Sequence, residues 1–210
     1  MSLYGRGVEN MKRRSMIAVI GDANIEEESE KFKLAERLGY ALVSKGYRVL
    51  CGGLGGIMKA VSHGARKSPE YKDGDIIGIL PGYDPEEANE SVDIIIATGL
   101  DHARNIIIAN NDAIIAIGGG SGTLSELAIA WALNRLIIAY KVDGWSGKIA
   151  DQRIDSRIRY PNIPEDRVYG VSSEEEVLEL LKMLPKYNKR HKEIRRRDID
   201  RVENEFSITG

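Results

Sequence analysis

The stretch from Ala113 to Trp131 constrains the chain more than any other, because it reads in one pass as strand, glycine loop and helix. Ala113-Ile114-Ile115-Ala116-Ile117 is a continuous apolar run rich in β-branched Ile, the pattern of a strand covered on both faces of a parallel sheet. Four of the next five residues, Gly118 to Gly122, are glycine. Without Cβ atoms such a loop takes positive φ and lets a ligand approach its amides. Leu124, Leu127, Ala128 and Trp131 then recur at helical spacing, so a helix N-terminus, with unpaired N–H groups and the positive end of its dipole, faces the loop. That combination favours an anion.

The same grammar repeats along the chain. Met16 to Ile20 reads as a first strand ending at Gly21-Asp22, and a helix is expected from about Glu27 to Lys45, closed by Gly46. Arg48 to Cys51 is a second strand running into the glycine loop Gly52-Gly53-Leu54-Gly55-Gly56 and a helix from Ile57. Further strands are expected at Ile76–Leu80, Asp93–Thr98, Leu136–Tyr140 and Arg167–Val171, with a helix over about Asp101 to Asn110 after the fourth strand. Lys141 to Asp166 is a long excursion, and Ser173 with Glu176 has capping-box spacing ahead of a helix ending near Leu184. Strands alternating with helices mean an α/β fold: a single Rossmann-like, doubly wound parallel sheet with helices on both faces. The 210 residues suffice for one such domain, expected over residues 16–184 between an N-terminal lead, 1–15, and a basic tail, 185–210. Ile199, Val202 and Phe206 in that tail have helical spacing, which points to a docking helix rather than a nucleic-acid arm.

Composition excludes several classes. The net charge of −2 gives no general reason to expect nucleic acid or a membrane surface, and no apolar run approaches the roughly 18 residues of a membrane span. Cys51 is the only cysteine, so no internal disulfide forms and the reading is a reducing, cytoplasmic location. At the end of an apolar strand, it reads as a small buried hydrophobe.

In a doubly wound sheet ligands bind beyond the C-terminal ends of the strands, where both glycine loops are expected to share one cleft. Neither loop carries the GxGxxG dinucleotide fingerprint or a P-loop GK[ST], so a nucleotide phosphate held on bare amides is the remaining option. Thr123 and Glu126 have capping-box spacing, which leaves Glu126 either a cap or a functional carboxylate. Arg104, near a helix start where a cation opposes the dipole, is better explained by an anion or carboxylate partner. His102 reads as a satisfied structural histidine, and Asp22 either meets a sugar hydroxyl or caps the next turn.

Gly119-Gly120-Ser121-Gly122-Thr123-Leu124-Ser125-Glu126 resembles the PGGxGTxxE motif of the LOG family, formerly called lysine decarboxylase-like, whose characterised members are cytokinin nucleoside 5′-monophosphate phosphoribohydrolases. His102-Ala103-Arg104-Asn105 is similar to the family's HxRK segment, and Gly52 to Met58 to its GGxxGLM segment, in the same order. The resemblance implies Arg104 and Glu126 as the catalytic pair. It also implies contacts to a nucleoside monophosphate or similar phosphorylated molecule from Gly52, Gly53, Gly56, Met58, Gly119, Gly120, Ser121, Gly122 and Thr123, with Gly21 and Asp22 beside them at the end of the first strand. Gly118 stands where the family has proline and Asn105 where it has lysine. Together with Gly144-Trp145-Ser146-Gly147, these departures look more like the branch that includes the molybdenum cofactor carrier proteins, so the rival class is a non-catalytic carrier or sensor. No metal or cofactor is expected, and no lysine has a recognisable pyridoxal phosphate context. The helix from Leu124 to Leu133 is apolar on more than its sheet-facing side, which predicts a homodimer or dimer of dimers, as the resemblance also implies.

Overall fold

A computed structural model describes residues 13–187. The basic tail, with the expected helix through Ile199, Val202 and Phe206, lies outside the described residues, as does most of the N-terminal lead. Among the described residues seven strands form one all-parallel sheet: β1 Met16–Gly21, β2 Arg48–Cys51, β3 Ile76–Leu80, β4 Ile94–Ala97, β5 Ala113–Ile117, β6 Leu136–Tyr140 and β7 Tyr169–Val171. Their order is β4-β3-β2-β1-β5-β6-β7, so the chain winds outward from β1 in one direction and, from β5, in the other. The reversal between β1 and β5 is the topological switch point, where a doubly wound sheet opens a crevice at its carboxyl edge.

Two cores follow from the period-2 alternation of the strands. Ile17, Val19, Val49, Cys51, Ile115 and Ile138 pack on one face against helices α1 (Glu30–Ser44), α2 (Ile57–Arg66) and α6 (Glu174–Leu181). Ala18, Ile20, Leu50, Ile77, Ile114 and Ile137 pack on the other against α3 (Asn105–Ala109) and α4 (Ser121–Ala132). The doubly wound α/β sheet with helices on both faces is therefore the observed architecture. No helix among the described residues is long and apolar enough to cross a membrane.

Local departures have local causes. α1 starts at Glu30 rather than Glu27 because Ser29 is its cap, its hydroxyl accepting from the Phe32 amide at 3.3 Å. The helix expected over 101–110 is split into a 3-10 turn, Asp101–Arg104, and the short α3, with Asp101 at φ +47°. α6 ends at Leu181 and is followed by a separate 3-10 turn, Leu184–Tyr187. Its Ser173 cap accepts from the Glu176 amide, while the Glu176 carboxylate accepts from Ser172 rather than from Ser173. The excursion from Lys141 to Asp166 contains a fifth helix, α5 (Trp145–Ile149), and then folds behind α4. There Arg159 is bidentate to buried Asp166 at 2.8 and 2.6 Å, donates to the Trp131 and Arg135 carbonyls, and lies 3.6 Å from the centre of the Trp131 ring.

Candidate functional site

The glycine loop leaving β5 is held from two sides. Gly118 and Gly119 have φ of +68° and +93°, a conformation open to glycine and strained for other residues. The Gly119 amide donates to Asp22 Oδ1 at 3.0 Å, and Asp22 Oδ2 accepts from Lys31 at 2.7 Å. From the other side the Gly144–Ser146 segment receives the loop. The Trp145 and Ser146 amides donate to the Gly119 and Gly118 carbonyls, and the Gly118 amide donates to Ser146 Oγ at 2.8 Å. The Gly144-Trp145-Ser146-Gly147 stretch thus acts as a buttress.

With the loop fixed, α4 starts at Ser121, three residues earlier than the apolar spacing suggests, with Gly120 as N-cap and no side chain capping it. Its first-turn amides, at Ser121, Gly122 and Thr123, carry the partial positive charge of an uncapped helix start. They meet a cleft of about 300 Å³ together with Gly21, Asp22, Gly52, Met58, Arg104, Gly120 and Glu126. Both glycine loops open on this edge of the sheet. Gly53, Gly56 and Gly119 stand behind the lining: Gly53 against Leu80, Gly56 against the Asp22 carbonyl and Gly119 on the Asp22 carboxylate. A Cβ at Gly52 would lie 2.6 Å from Met58 Sδ and 3.0 Å from Arg104 Nη2, so the bare backbone leaves room for both side chains.

Glu126 is not a helix cap. It is buried, 6% exposed, and its Oε1 accepts from Arg104 Nη1 at 2.9 Å instead of reaching back to Thr123. The same Nη1 donates to Asn105 Oδ1 at 3.0 Å, Asn105 Nδ2 donates to Ser125 Oγ at 2.7 Å, and Ser125 Oγ donates to the Gly122 carbonyl at 2.8 Å. One chain of hydrogen bonds therefore ties Arg104 to the first turn of α4. Burial pushes the Glu126 carboxyl up to about 7, against the lowering effect of the Arg104 charge and hydrogen bond. A carboxyl displaced into the neutral range by burial beside a charge partner, in a cleft, makes Glu126 a candidate functional residue.

Two residues that line the cleft were not among the ligand contacts expected from the sequence. Asn105, buried in the polar chain just described, carried no local signal because its partner Ser125 is 20 residues away. His102 is not a satisfied structural histidine: its side chain is 83% exposed at the rim of the cleft, with Asp101 4.0 Å away. Cys51 is buried as expected, its thiol pushed up by burial, with Ser62 and the Gly53 amide as neighbours. A larger groove of about 790 Å³ lies between α1, α2 and α6, where Arg37 pairs with Glu174 and Lys67 with Glu36.

Residues 14–169 match the profile of the SLOG cluster4 family. The chain is 40% identical over 126 residues to an uncharacterized protein of Archaeoglobus fulgidus, an alignment covering 60% of this chain and 79% of that one. It is 27% identical, over 92% of each chain, to the cytokinin riboside 5′-monophosphate phosphoribohydrolase LOG3 of Arabidopsis thaliana. Among solved structures, the molybdenum cofactor binding protein of the phototrophic bacterium Rippkaea orientalis superposes with a TM-score of 0.67 at 33% identity, over 82% of this chain and 98% of that one.

Proposed function

We propose that this chain, which belongs to the SLOG cluster4 family, binds a nucleoside 5′-monophosphate in the cleft at the β1/β5 switch point and hydrolyses its N-glycosidic bond. The observation that carries the reading is the pair of buried Glu126 with Arg104, facing an uncapped helix start. A carboxyl taken out of water costs stability unless it is paired, and the partner of this one is Arg104, on the cleft, rather than an amide of its own helix. The amides of Gly120 to Thr123 take the phosphate, and Arg104 fixes the ribose or the departing base.

In the reaction water adds at C1′ of the ribose and the C1′–N bond breaks, its electron pair leaving on the base. In the net reaction the proton lost by the water ends on the base, giving ribose 5-phosphate and free base. Positive charge builds on the ring in the transition state; the Glu126 carboxyl gives its proton to the departing base and, as the carboxylate so formed, stabilises that charge and takes the proton of the water. Similarity to the Arabidopsis phosphoribohydrolase supports this reading.

A second reading, a carrier that binds a phosphorylated ligand without turnover, is favoured by one observation. Asn105, neutral and hydrogen-bonded through both Oδ1 and Nδ2, occupies the position beside Arg104, leaving the pair with a single cation. The similarity to the Rippkaea protein supports that reading too. Release of free base from a panel of nucleoside 5′-monophosphates, run beside ligand-induced thermal shift, separates the two. Hydrolysis predicts base release that falls roughly 100-fold or more in Glu126→Gln while nucleotide still stabilises the variant. Stabilisation with no base released from any nucleotide establishes the carrier, and absence of both rejects the nucleotide site.

The assembly we propose is a homodimer, or a dimer of dimers, through α3 and α4. Ile106 and Ile107 of α3 are 55% and 40% exposed, and Ala128 and Ala132 of α4 are exposed as well. The β4 register puts Ile94 and Ile96 opposite Ile77 and Ile79, on the same face of the sheet, with both exposed. Such a run of apolar surface on one face calls for a second copy.

A further inference from the structure

We propose that the cleft takes up its anionic ligand together with one proton, held on Glu126, the ligand's oxyanion seating on the open edge of Arg104. The proposal rests on the nucleotide-site reading and adds to it how charge is balanced when the site fills.

The cleft contains one guanidinium and two claimants for it. Arg104 Nη1 is spent on Glu126 Oε1 and Asn105 Oδ1. Nη2 has no hydrogen bond among the described residues and lies against Gly52, which lines the cleft, and Nε is buried with no partner. A guanidinium offers five donors in a fixed fork, so this one keeps an unused edge on the Gly52 side. An oxyanion reaching that edge, or the helix amides of Ser121 to Thr123, enters the same small cavity as the Glu126 carboxyl.

Among the described residues, Arg104 is the one Lys or Arg that lines the cleft. Asp22 at the far wall is tied to Lys31 and the Gly119 amide, so that lysine is already matched. On the elements packed around Glu126, Asn105 and Ser125 are neutral, Thr123 is neutral, and Cys51 at the end of β2 is a buried thiol held protonated by burial. His102 is at the rim, beside Asp101. With one positive charge for a carboxylate and a phosphate dianion, the repulsion is relieved by putting a proton on the carboxylate. Burial has already brought Glu126 close to accepting it.

Linkage turns this into a measurement. Titration calorimetry at pH 8 with adenosine 5′-monophosphate and with sulfate, each in buffers of different ionisation enthalpy, is expected to give uptake approaching one proton per ligand. Sulfate has no ionisation in this range, so its proton is the protein's. Its Kd is expected to weaken about tenfold per pH unit above pH 8 and to level off below about pH 6. Glu126→Gln should bind with no proton uptake and no pH dependence, and His102→Ala should keep the wild-type uptake. Binding without uptake, or uptake that survives Glu126→Gln or is lost in His102→Ala, overturns the coupling. Sulfate bound with uptake but no nucleotide bound leaves the coupling standing and removes the nucleotide reading. Failure of every probe to bind overturns both.

Discussion

Asp22 and Gly119, 97 residues apart, are joined by a 3.0 Å hydrogen bond from the Gly119 amide to Asp22 Oδ1, which clamps the end of β1 to the glycine loop after β5 across the switch point. The other carboxylate oxygen takes Lys31 at 2.7 Å, so Asp22 holds the glycine loop and α1 together. Asp22→Ala is expected to cost about 1 to 2 kcal/mol, because it orphans an amide and an ammonium together, and to weaken nucleotide-induced thermal stabilisation. Asp22→Asn keeps the Oδ1 acceptor and should retain most of both. Urea unfolding of the two variants, with and without nucleotide, reads the difference. Equal losses in both would show that the Gly119 bond contributes nothing.

The same clamp makes Gly118 and Gly120 respond in opposite ways. At Gly118, φ is +68° and a Cβ would lie 2.1 Å from Asp22 Oδ2 and 2.9 Å from Lys31 Nζ. Gly118→Ala is therefore expected to cost about 2 kcal/mol or more, from left-handed strain plus a displaced ion pair. At Gly120 φ is −99° and a Cβ meets nothing within 4 Å, so Gly120→Ala should cost about 1 kcal/mol or less, the preference of an N-cap for Gly over Ala. Its new methyl group stands on the cleft wall, and ligand affinity should fall although the fold is kept. A Gly120→Ala variant as destabilised as Gly118→Ala would refute this account of the loop.

The strands were legible because burial on both faces of a parallel sheet writes unbroken apolar runs: the expected Ala113–Ile117 and Leu136–Tyr140 are β5 and β6 to the residue. Both glycine loops were legible for the same reason, lying where such runs stop. The start of α4 was not, because Gly120 caps it without a side-chain signal and the helix begins inside the glycine-rich run. Thr123 and Glu126 had the spacing of a capping box, and only the arrival of Arg104, 22 residues away, turns that carboxyl toward the cleft. Local spacing carries the elements, whereas the polar chain from Arg104 through Asn105 and Ser125 to Gly122 is made by tertiary contact between α3 and α4.

The exposed isoleucines supply a test of assembly that does not depend on catalysis. If α3 and α4 face a second copy, light scattering at micromolar concentration should give the mass of a dimer or tetramer of the 23.3 kDa chain. Ile106→Glu, which puts a charge at a 55% exposed position, should shift the mass toward monomer with little loss of intrinsic stability. A monomeric wild type at that concentration contradicts the proposal.

The Glu126 carboxyl also leaves a mark on stability against pH. Its ordinary value of 4.5 is raised to about 7 in the folded protein, first by burial and in spite of Arg104. Between those two values the native state holds more protons than the unfolded chain, so this group makes stability fall as pH rises. The favourable contribution is complete below about pH 4.5 and is lost as pH passes through about 7, a change on the order of 3 kcal/mol. Glu126→Gln carries no such titration and still accepts from Arg104 Nη1. The stability difference between wild type and variant, taken from urea unfolding at intervals from pH 5 to pH 8, should therefore move steadily in favour of the variant. A difference that stays constant over that range would mean that Glu126 ionises in the cleft as it does in water, and that the pair with Arg104 outweighs its burial.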